Sequence, residues 1–382
     1  MVMGEERSSQ NIGNSRKKAT DFAALEGQGD LVLQEDLEIV AKDSSLATAL
    51  QGKTIVVTGA TGLVGREMIL CLACMNRVQN NGMTIVGIIR NKKKAEQVFG
   101  REFLSRDDVR FIEADFLDED FATKASHDLV TDMVIHGAAM TASKDLISHP
   151  VEAIMTAVDG TKRALDFARI SKAGAFVYLS SMEMYGTLEG EATEEKLGWI
   201  DLHSVRSDYP ESKRLCETLC IGYGSEYNLG VKIARLSQTF GAGVSKDETR
   251  VFAQFARSVI QGKDIVLHTT GRSEGNYCYT RDTVRGILTI ATKGKEGEAY
   301  NVANEASHTT IADMAHLIAD KIAHGRIKVV YDIPEGNQYG YAADTRLKLN
   351  ASKLRSLGWR PEVGLEESYR RMIASMEYQI SR

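Results

Sequence analysis

Short apolar runs along the chain alternate with longer stretches whose apolar residues recur with a helical period. The runs at 55–57, 83–89, 109–113, 132–136 and 175–179 are predicted to be strands. Helical periods are predicted to start near residue 150 and near residue 209, and to cover 311–322 and 365–380. This alternation, with fully apolar strands, predicts an α/β fold built on a parallel sheet.

The stretch KTIVVTGATGLVGR at residues 53–66 joins the first strand to the first long helix. Gly59 permits a tight turn, Gly62 lets a diphosphate approach the main chain, and Gly65 permits close packing of helix on strand. An ordinary loop would also tolerate three glycines, but the flanking strand and helix favour a dinucleotide site. The predicted cofactor-binding turn comprises Gly59, Thr61, Gly62, Leu63, Val64 and Gly65.

The second strand ends in a basic cluster that begins with Arg90, Asn91 and Lys92. NAD-binding units commonly place an acidic residue here to bind the ribose hydroxyls, whereas an arginine can pair with a 2′-phosphate. The cluster is also compatible with the solvated start of a surface helix, but we favour NADP over NAD. At the next two strand ends, Asp115 and Phe116 are predicted to flank the adenine, and Ala138 and Ala139 to lie against the cofactor.

Composition narrows the class of protein. The chain has 382 residues with a net charge of -5, which gives no reason to expect nucleic acid or an anionic membrane as a partner. Five scattered cysteines, with no apolar segment typical of a secretory signal or a membrane span, indicate reduced thiols in a cytoplasmic protein without a metal site. Residues 1–30 are polar and predicted to be disordered, and 31–50 to form an amphipathic helical extension of unassigned role.

The fifth strand delivers Ser181, Met182 and Glu183 to the edge of the sheet where ligands bind. Downstream, Tyr209 and Lys213 are four residues apart and therefore share one helical face. A phenol with a pKa of ~10 is a poor base, so a neighbouring ammonium and a cationic nicotinamide are expected to bring that pKa toward the working range. A tyrosine and a lysine at this spacing also occur by chance on surface helices.

Three motifs together, TGATGLVG, SSMEMYG and YPESK, resemble the extended short-chain dehydrogenase/reductase family, particularly its nucleotide-sugar epimerases, dehydratases and decarboxylases. The resemblance continues through RLSQTFG and YCYTRD and spans roughly residues 50–375. It implies a Rossmann-type, doubly wound, seven-stranded NAD(P)-binding domain, mainly 51–235. It also implies a smaller, discontinuous substrate-binding domain, mainly 236–382, with some segments returning to the sheet, and a homodimer formed through two helices per subunit.

The resemblance also implies roles for single residues. Ser181, Tyr209 and Lys213 match the family's oxidoreductase triad, with Tyr209 and Lys213 also contacting the cofactor. Glu183 matches a carboxylate that serves as base or orients the substrate, although a solvated loop carboxylate is the alternative. The candidate substrate-binding residues are Thr141, Met182, Glu183, Gln238, Arg250, Arg272 and Tyr279.

Several positions depart from the family pattern. Met182 stands where dehydratases acting on thymidine-linked glucose carry an aspartic acid, so that reaction loses support. Gln238 replaces the usual asparagine, and Gly275 lies where relatives have a phosphate-binding arginine. Arg250 or Arg272 is therefore expected to take over the diphosphate contact.

Three functions follow as hypotheses. The leading one is an NAD(P)-dependent epimerase or dehydratase-type enzyme acting on a nucleotide-activated sugar, with Glu183 as an auxiliary base. The second is an NADPH-dependent reductase of a nucleotide-linked keto sugar, which steady NADPH consumption would distinguish because a recycling enzyme consumes none. The third is a non-catalytic NADP-binding regulator, which the retained Tyr209 and Lys213 disfavour.

Overall fold

The computed structural model describes residues 25–127, 129–138, 143–335 and 344–382. Most of the segment predicted to be disordered, together with Ala139 and Thr141, lies outside the described residues.

The described strands and helices alternate along the chain. The strands are β1 (Thr54–Thr58), β2 (Thr84–Ile89), β3 (Val109–Glu113), β4 (Met133–His136), β5 (Ala175–Ser181), β6 (Glu191–Ala192), β7 (Val231–Leu236), β8 (Gln238–Phe240), β9 (Ile265–Leu267), β10 (Glu274–Tyr279), β11 (Ala299–Val302), β12 (Asn304–Thr310), β13 (Val329–Tyr331) and β14 (Lys348–Leu349). The α-helices are α1 (Leu31–Ala41), α2 (Ser44–Leu50), α3 (Leu63–Gln79), α4 (Lys92–Leu104), α5 (Phe121–Ala125), α6 (Ser143–Ser148), α7 (Pro150–Ile170), α8 (Asp208–Tyr227), α9 (Val251–Gln261), α10 (Thr280–Lys293), α11 (Ile311–Leu317), α12 (Ser352–Ser356) and α13 (Leu365–Ile380).

A seven-stranded sheet forms the centre, in the order β11-β7-β5-β4-β1-β2-β3, and every pairing in it is parallel. Apolar residues of α3, α4 and α10 cover one face, and those of α5, α7 and α8 cover the other. Because both faces are buried, the strands are apolar without alternation. This is the predicted Rossmann-type, doubly wound sheet.

The chain beyond β7 builds a second, smaller layer. Strand β8 pairs in parallel with β10, and β10 pairs antiparallel with β12. A buried cluster joins these strands to α9, α11 and α13. Strand β11 instead pairs with β7 in the large sheet, so the C-terminal part is discontinuous in sequence. The division of domains near residue 235 stays a prediction.

Residues 25–50, which we call the N-terminal strap, pack against α3 on the outside of the large sheet. Asp30 caps α1 by accepting hydrogen bonds from the amides of Val32 and Leu33, while its other oxygen accepts the hydroxyl of Ser375 on α13. Glu26 is buried and accepts hydrogen bonds from Arg77 of α3. The strap therefore contacts both the cofactor-side helix and the last helix of the chain.

No described helix is long and apolar enough to cross a lipid bilayer. All five cysteines are buried and none forms a disulfide.

Candidate active site

A cleft of about 2370 Å³ opens at the carboxyl ends of the large-sheet strands, between that sheet and the smaller layer. Its lining includes the glycine turn after β1, the end of β2, the end of β5 and the start of α8. In doubly wound sheets this edge is where ligands bind, because the loops and helix N-termini that follow the strands meet there.

The glycine turn approaches neighbouring backbone too closely for side chains. Gly59 has φ +67°, and a Cβ there would lie 2.8 Å from the carbonyl carbon of Gly137. A Cβ at Gly65 would lie 2.3 Å from the carbonyl oxygen of Gly59. Gly62 is the N-cap residue of α3, so the first amides of the helix are free to bind an anion. Thr61, Leu63 and Val64 line the cleft beside them, and the turn fits the diphosphate of a dinucleotide.

The end of β2 presents cations to the cleft. Arg90, Asn91 and Lys94 line it, and Asn91 caps α4 by accepting a hydrogen bond from the amide of Lys94 at 2.9 Å. Lys92, predicted to bind the cofactor, is not among the lining residues. The backbone amide of Lys92, in the first turn of α4, donates a hydrogen bond to the carboxylate of Glu113. Lys94, two residues later, lines the cleft.

Two further predicted cofactor positions also line the cleft. Asp115 and Phe116 follow β3, and Ala138 follows β4, all at the same edge of the sheet. The Asp115 carboxylate accepts a hydrogen bond from the amide of Leu117 at 2.9 Å, which fixes the turn after β3.

Lys213 is the buried cation of the site, with 4% of its surface exposed. Its Nζ donates to the carbonyl oxygen of Leu179 at 2.8 Å, and it lies 4.8 Å from the centre of the Tyr178 ring and 5.7 Å from that of Tyr209. Burial lowers the pKa of Lys213 to about 8. The lysine is therefore fixed beneath the cleft floor, beside the phenol predicted to react.

Tyr209 lies at the first turn of α8 and is half-buried. Burial, and then the charge of Glu183, raise its pKa, against the opposing effects of a hydrogen bond with Ser181 and the charge of Arg250. The expected lowering of this pKa is thus absent from the protein alone, because desolvation and Glu183 dominate. A cation bound in the cleft would act in the opposite direction.

Ser181 and Glu183 are joined by the turn that follows β5. The Ser181 hydroxyl accepts the amide hydrogen of Glu183 at 3.2 Å, at the start of a short 3₁₀ helix (Met182–Tyr185). The Glu183 side chain opens into the cleft, where desolvation by the walls raises its pKa, with Arg206 opposing and Asp208 reinforcing the rise. Glu183 therefore retains a proton more readily than an ordinary surface glutamate does.

Three groups in or beside the cleft were missed by the sequence analysis. Arg206 and Arg346 line the cleft, and the Ser237 hydroxyl, which is buried at its floor, has no hydrogen-bond partner among the described residues. Arg206 lies only three residues before Tyr209, a spacing that could have drawn attention to it. Nothing in the local sequence marks Arg346, whereas Ser237 lies within the RLSQTFG segment that carries part of the resemblance.

The remaining predicted substrate residues divide into two groups. Met182, Gln238 and Arg250 line the cleft. Arg272 is exposed and Tyr279 is buried, and neither lines the cleft, so the structure does not bring them together with the other candidates. Arg272 belongs to the exposed turn before β10, and the Tyr279 hydroxyl is bound by the strap. Thr141 lies outside the described residues.

Comparisons with known proteins agree with this architecture. A family model described as the NAD dependent epimerase/dehydratase family matches residues 55–303. UDP-glucuronic acid decarboxylase 6 of Arabidopsis thaliana is 26% identical over 317 residues, covering 82% of this chain and 85% of the relative. The dTDP-D-glucose 4,6-dehydratase of Bos taurus is 26% identical over 329 residues, covering 84% and 88%. A UDP-glucuronic acid 4-epimerase of Bacillus cereus, solved with UDP-glucuronic acid and NAD, has a TM-score of 0.70 at 21% identity, covering 85% and 99%.

Proposed function

Because the chain belongs to the NAD-dependent epimerase/dehydratase family, we propose that it transforms a nucleotide-activated sugar through a nicotinamide-dependent oxidation or reduction. The observation that carries the proposal is the convergence of Ser181, Glu183, Tyr209 and Lys213 in the cleft that also contains the glycine turn. The names of the relatives support the substrate class, since they act on uridine- or thymidine-linked sugars. The Bacillus cereus structure supports the cofactor class, since it was solved in complex with NAD.

Tyr209, Ser181 and Lys213 have separate roles in the proposed transfer of hydrogen. When bound, the nicotinamide supplies the hydride acceptor or donor. Tyr209 takes the proton of the reacting hydroxyl or returns it, and Ser181 donates a hydrogen bond to the same oxygen. Lys213 adds positive charge beside the phenol and is placed to hold the ribose. Its bond to Leu179 keeps it in position.

Glu183 is suited to the second proton transfer. Oxidation of a sugar carbinol gives a ketone, which acidifies the neighbouring C–H bond, and a carboxylate at the cleft wall can remove that proton. The raised pKa of Glu183 favours a group that holds the proton during part of the cycle and then returns it. If the nicotinamide is regenerated, the net reaction is epimerisation, dehydration or decarboxylation.

The cations at the end of β2 favour NADP over NAD. Arg90 and Lys94 line the cleft where the adenosine ribose is expected, and the residues from 90 to 94 include no acidic side chain. Guanidinium and ammonium groups bind a 2′-phosphate, whereas a carboxylate there would repel it. This observation also favours the second candidate function, an NADPH-dependent reductase of a nucleotide-linked keto sugar.

Arg250 and Arg346 are placed to bind the substrate diphosphate. Both line the cleft, from the start of α9 and from the segment before β14. Arg250 is already paired with Glu248, with 2.7 Å between Nη2 and Oε2, which orients its guanidinium at the cleft. Arg272, outside the cleft, is not part of this proposal.

A homodimer through α7 and α8 is the proposed assembly. These neighbouring helices expose large apolar side chains on their outer faces: Val151, Met155, Leu215 and Ile221. Exposed apolar side chains of this size on two packed helices are typical of a subunit interface.

The test begins with the small molecules released from freshly purified, denatured protein, identified by mass spectrometry. The protein is then supplied with uridine- and thymidine-diphosphate sugars in deuterated water. Stoichiometric NADP or NAD supports the recycling enzyme. Solvent deuterium in the product sugar supports a proton transfer at the neighbouring carbon, and loss of that deuterium in Glu183→Gln supports the auxiliary role of Glu183. Continuous NADPH consumption with a keto sugar supports the reductase. A protein that binds neither dinucleotide nor nucleotide sugar contradicts both.

A further inference from the structure

One part of the cleft wall beside Ser181 is apolar. Met182 directly follows Ser181, and Gly275 faces it from β10, where an added Cβ would lie 3.9 Å from the Met182 Cε. Leu188 and Leu347 line the cleft from two other segments. We call these four residues the apolar recess. Gly275 has no side chain, so at this position β10 leaves the recess in front of Met182 unfilled.

The recess is continuous with a small core. A buried cluster lies behind it, and both Met182 and Leu188 pack against this cluster. Its buried members are Met184, Tyr185, Ala192, Ala303, Leu347 and Leu349. Because that core supports the recess, its apolar wall is not expected to swing away to let water or a polar group in.

Charged residues of both signs border the recess, since Arg346 lines the cleft directly before Leu347. Glu274 lines the cleft next to Gly275, and its Oε2 lies 3.6 Å from His308. A carboxylate on the substrate at this point would lose its water against the apolar side chains of the recess. The four residues of the recess offer no side-chain hydrogen-bond donor to a hydroxyl.

We propose that the apolar recess receives the exocyclic carbon of the sugar as a methyl group, so that the substrate class is a nucleotide-linked 6-deoxy sugar. The inference rests on the proposed function. Ser181 and Tyr209 hold the reacting oxygen, so the neighbouring Met182 and Gly275 face the substituents beside the reacting carbon. On a hexose ring the other positions carry oxygen directly, and only the exocyclic carbon can present an apolar group.

The inference also fixes a place in a reaction sequence. A 6-deoxy sugar has lost the oxygen of its exocyclic carbon while the ring carbons retain theirs. The class of reaction that supplies this substrate is therefore a dehydration of a nucleotide-linked hexose. This enzyme would act after it, on a sugar from which the hydroxyl has already left.

The test compares binding of three thymidine-diphosphate sugars to the cofactor-loaded enzyme by calorimetry. The sugars are 6-deoxyglucose, glucose and glucuronic acid. We expect the 6-deoxy sugar to bind about 10- to 100-fold more tightly than glucose, and glucuronic acid most weakly. Equal affinity for the first two sugars, or a preference for glucuronic acid, would overturn the inference.

Two variants separate the recess from the rest of the cleft. Met182→Gln keeps the length of the side chain but supplies an amide, and is expected to reduce the preference for the 6-deoxy sugar to less than about 3-fold. Gly275→Val fills the recess and should weaken the binding of all three sugars. Binding of thymidine diphosphate alone reports on the fold and on the diphosphate site. If thymidine diphosphate binds to the wild type and to both variants, but the wild type shows no preference among the three sugars, only this inference fails. Loss of all nucleotide binding by the wild type would instead contradict the proposed function.

Discussion

Asp36 of the N-terminal strap accepts the hydroxyl hydrogen of Tyr279 at 2.5 Å, joining the second helix turn of the extension to the end of β10. The same carboxylate, which is fully buried, also accepts hydrogen bonds from Arg281 at 3.0 Å and from Arg371 at 2.9 Å. Burial raises the pKa of Asp36, and the three donors oppose that rise. The Asp36 side chain therefore links the strap to three residues that lie more than two hundred positions further along the chain.

Replacement of Asp36 by Asn should destabilise the protein by about 3 kcal/mol, because Arg281 and Arg371 would both lose the buried carboxylate that lies nearest to them. Glu35→Gln is the matched control, since Glu35 also pairs with Arg371 but is exposed, and should cost under about 1 kcal/mol. Urea unfolding measures both. Equal effects of the two variants would contradict this account of the strap.

Glu67 gives the protein a pH-dependent stability. It is buried on α3 without a hydrogen-bond partner among the described residues, and burial, followed by the charge of Asp36, raises its pKa to about 8, with Asp30 reinforcing and Arg66 opposing the rise. The folded state therefore binds a proton that the unfolded state releases above its ordinary pKa near 4.5. The stabilisation of the folded state by protonated Glu67 is fully present below pH 4.5 and is lost as the pH rises toward about 8.

Glu67→Gln should remove this loss of stability with rising pH. Between about pH 6 and about pH 8 we expect the variant to gain roughly 2 kcal/mol relative to the wild type, as measured by urea unfolding. Parallel pH dependences in the two proteins would show that Glu67 does not titrate in this range.

Tyr209→Phe should lower turnover by about 100-fold or more, because the hydroxyl that exchanges a proton with the substrate is lost. Dinucleotide content and thermal stability should stay close to those of the wild type. Tyr227→Phe, on the same helix but exposed away from the cleft, is the control and should keep full turnover. Undiminished turnover in Tyr209→Phe would remove the tyrosine from the proposed mechanism.

Arg90→Ala should weaken NADP binding by about tenfold or more while leaving NAD binding nearly unchanged, since only NADP carries the 2′-phosphate. Arg101→Ala is the control, because that arginine lies on α4 with its side chain largely exposed and outside the cleft. Titration calorimetry with each dinucleotide measures both variants. A similar loss for NAD and NADP would assign Arg90 a general role rather than phosphate selection.

The sequence predicted those parts of the site whose geometry depends on near neighbours in the chain. The glycine spacing fixed the turn after β1, and the four-residue spacing placed Tyr209 and Lys213 on one face of α8. Lys94, whose amide donates to the Asn91 cap, lines the cleft and Lys92 does not, so cofactor binding by Lys92 stays a prediction.

Long-range contacts explain the other differences. Tyr279 was predicted to bind substrate, but a carboxylate from the strap binds its hydroxyl, and no local pattern reveals that partner. Arg346 reaches the cleft from a segment distant in sequence. The raised pKa of Tyr209 likewise depends on burial and on Glu183, which become evident only when β5 and α8 are packed together.

The strap also constrains how this chain can change over generations. The family match begins at residue 55, so residues 25–50 precede the region shared with the family. Because Asp36 supplies a buried carboxylate to Arg281 and Arg371, deletion of the strap would require simultaneous replacement of both arginines. A chain without the strap would also expose to water the apolar surface of α3 against which Leu33, Leu37 and Val40 pack.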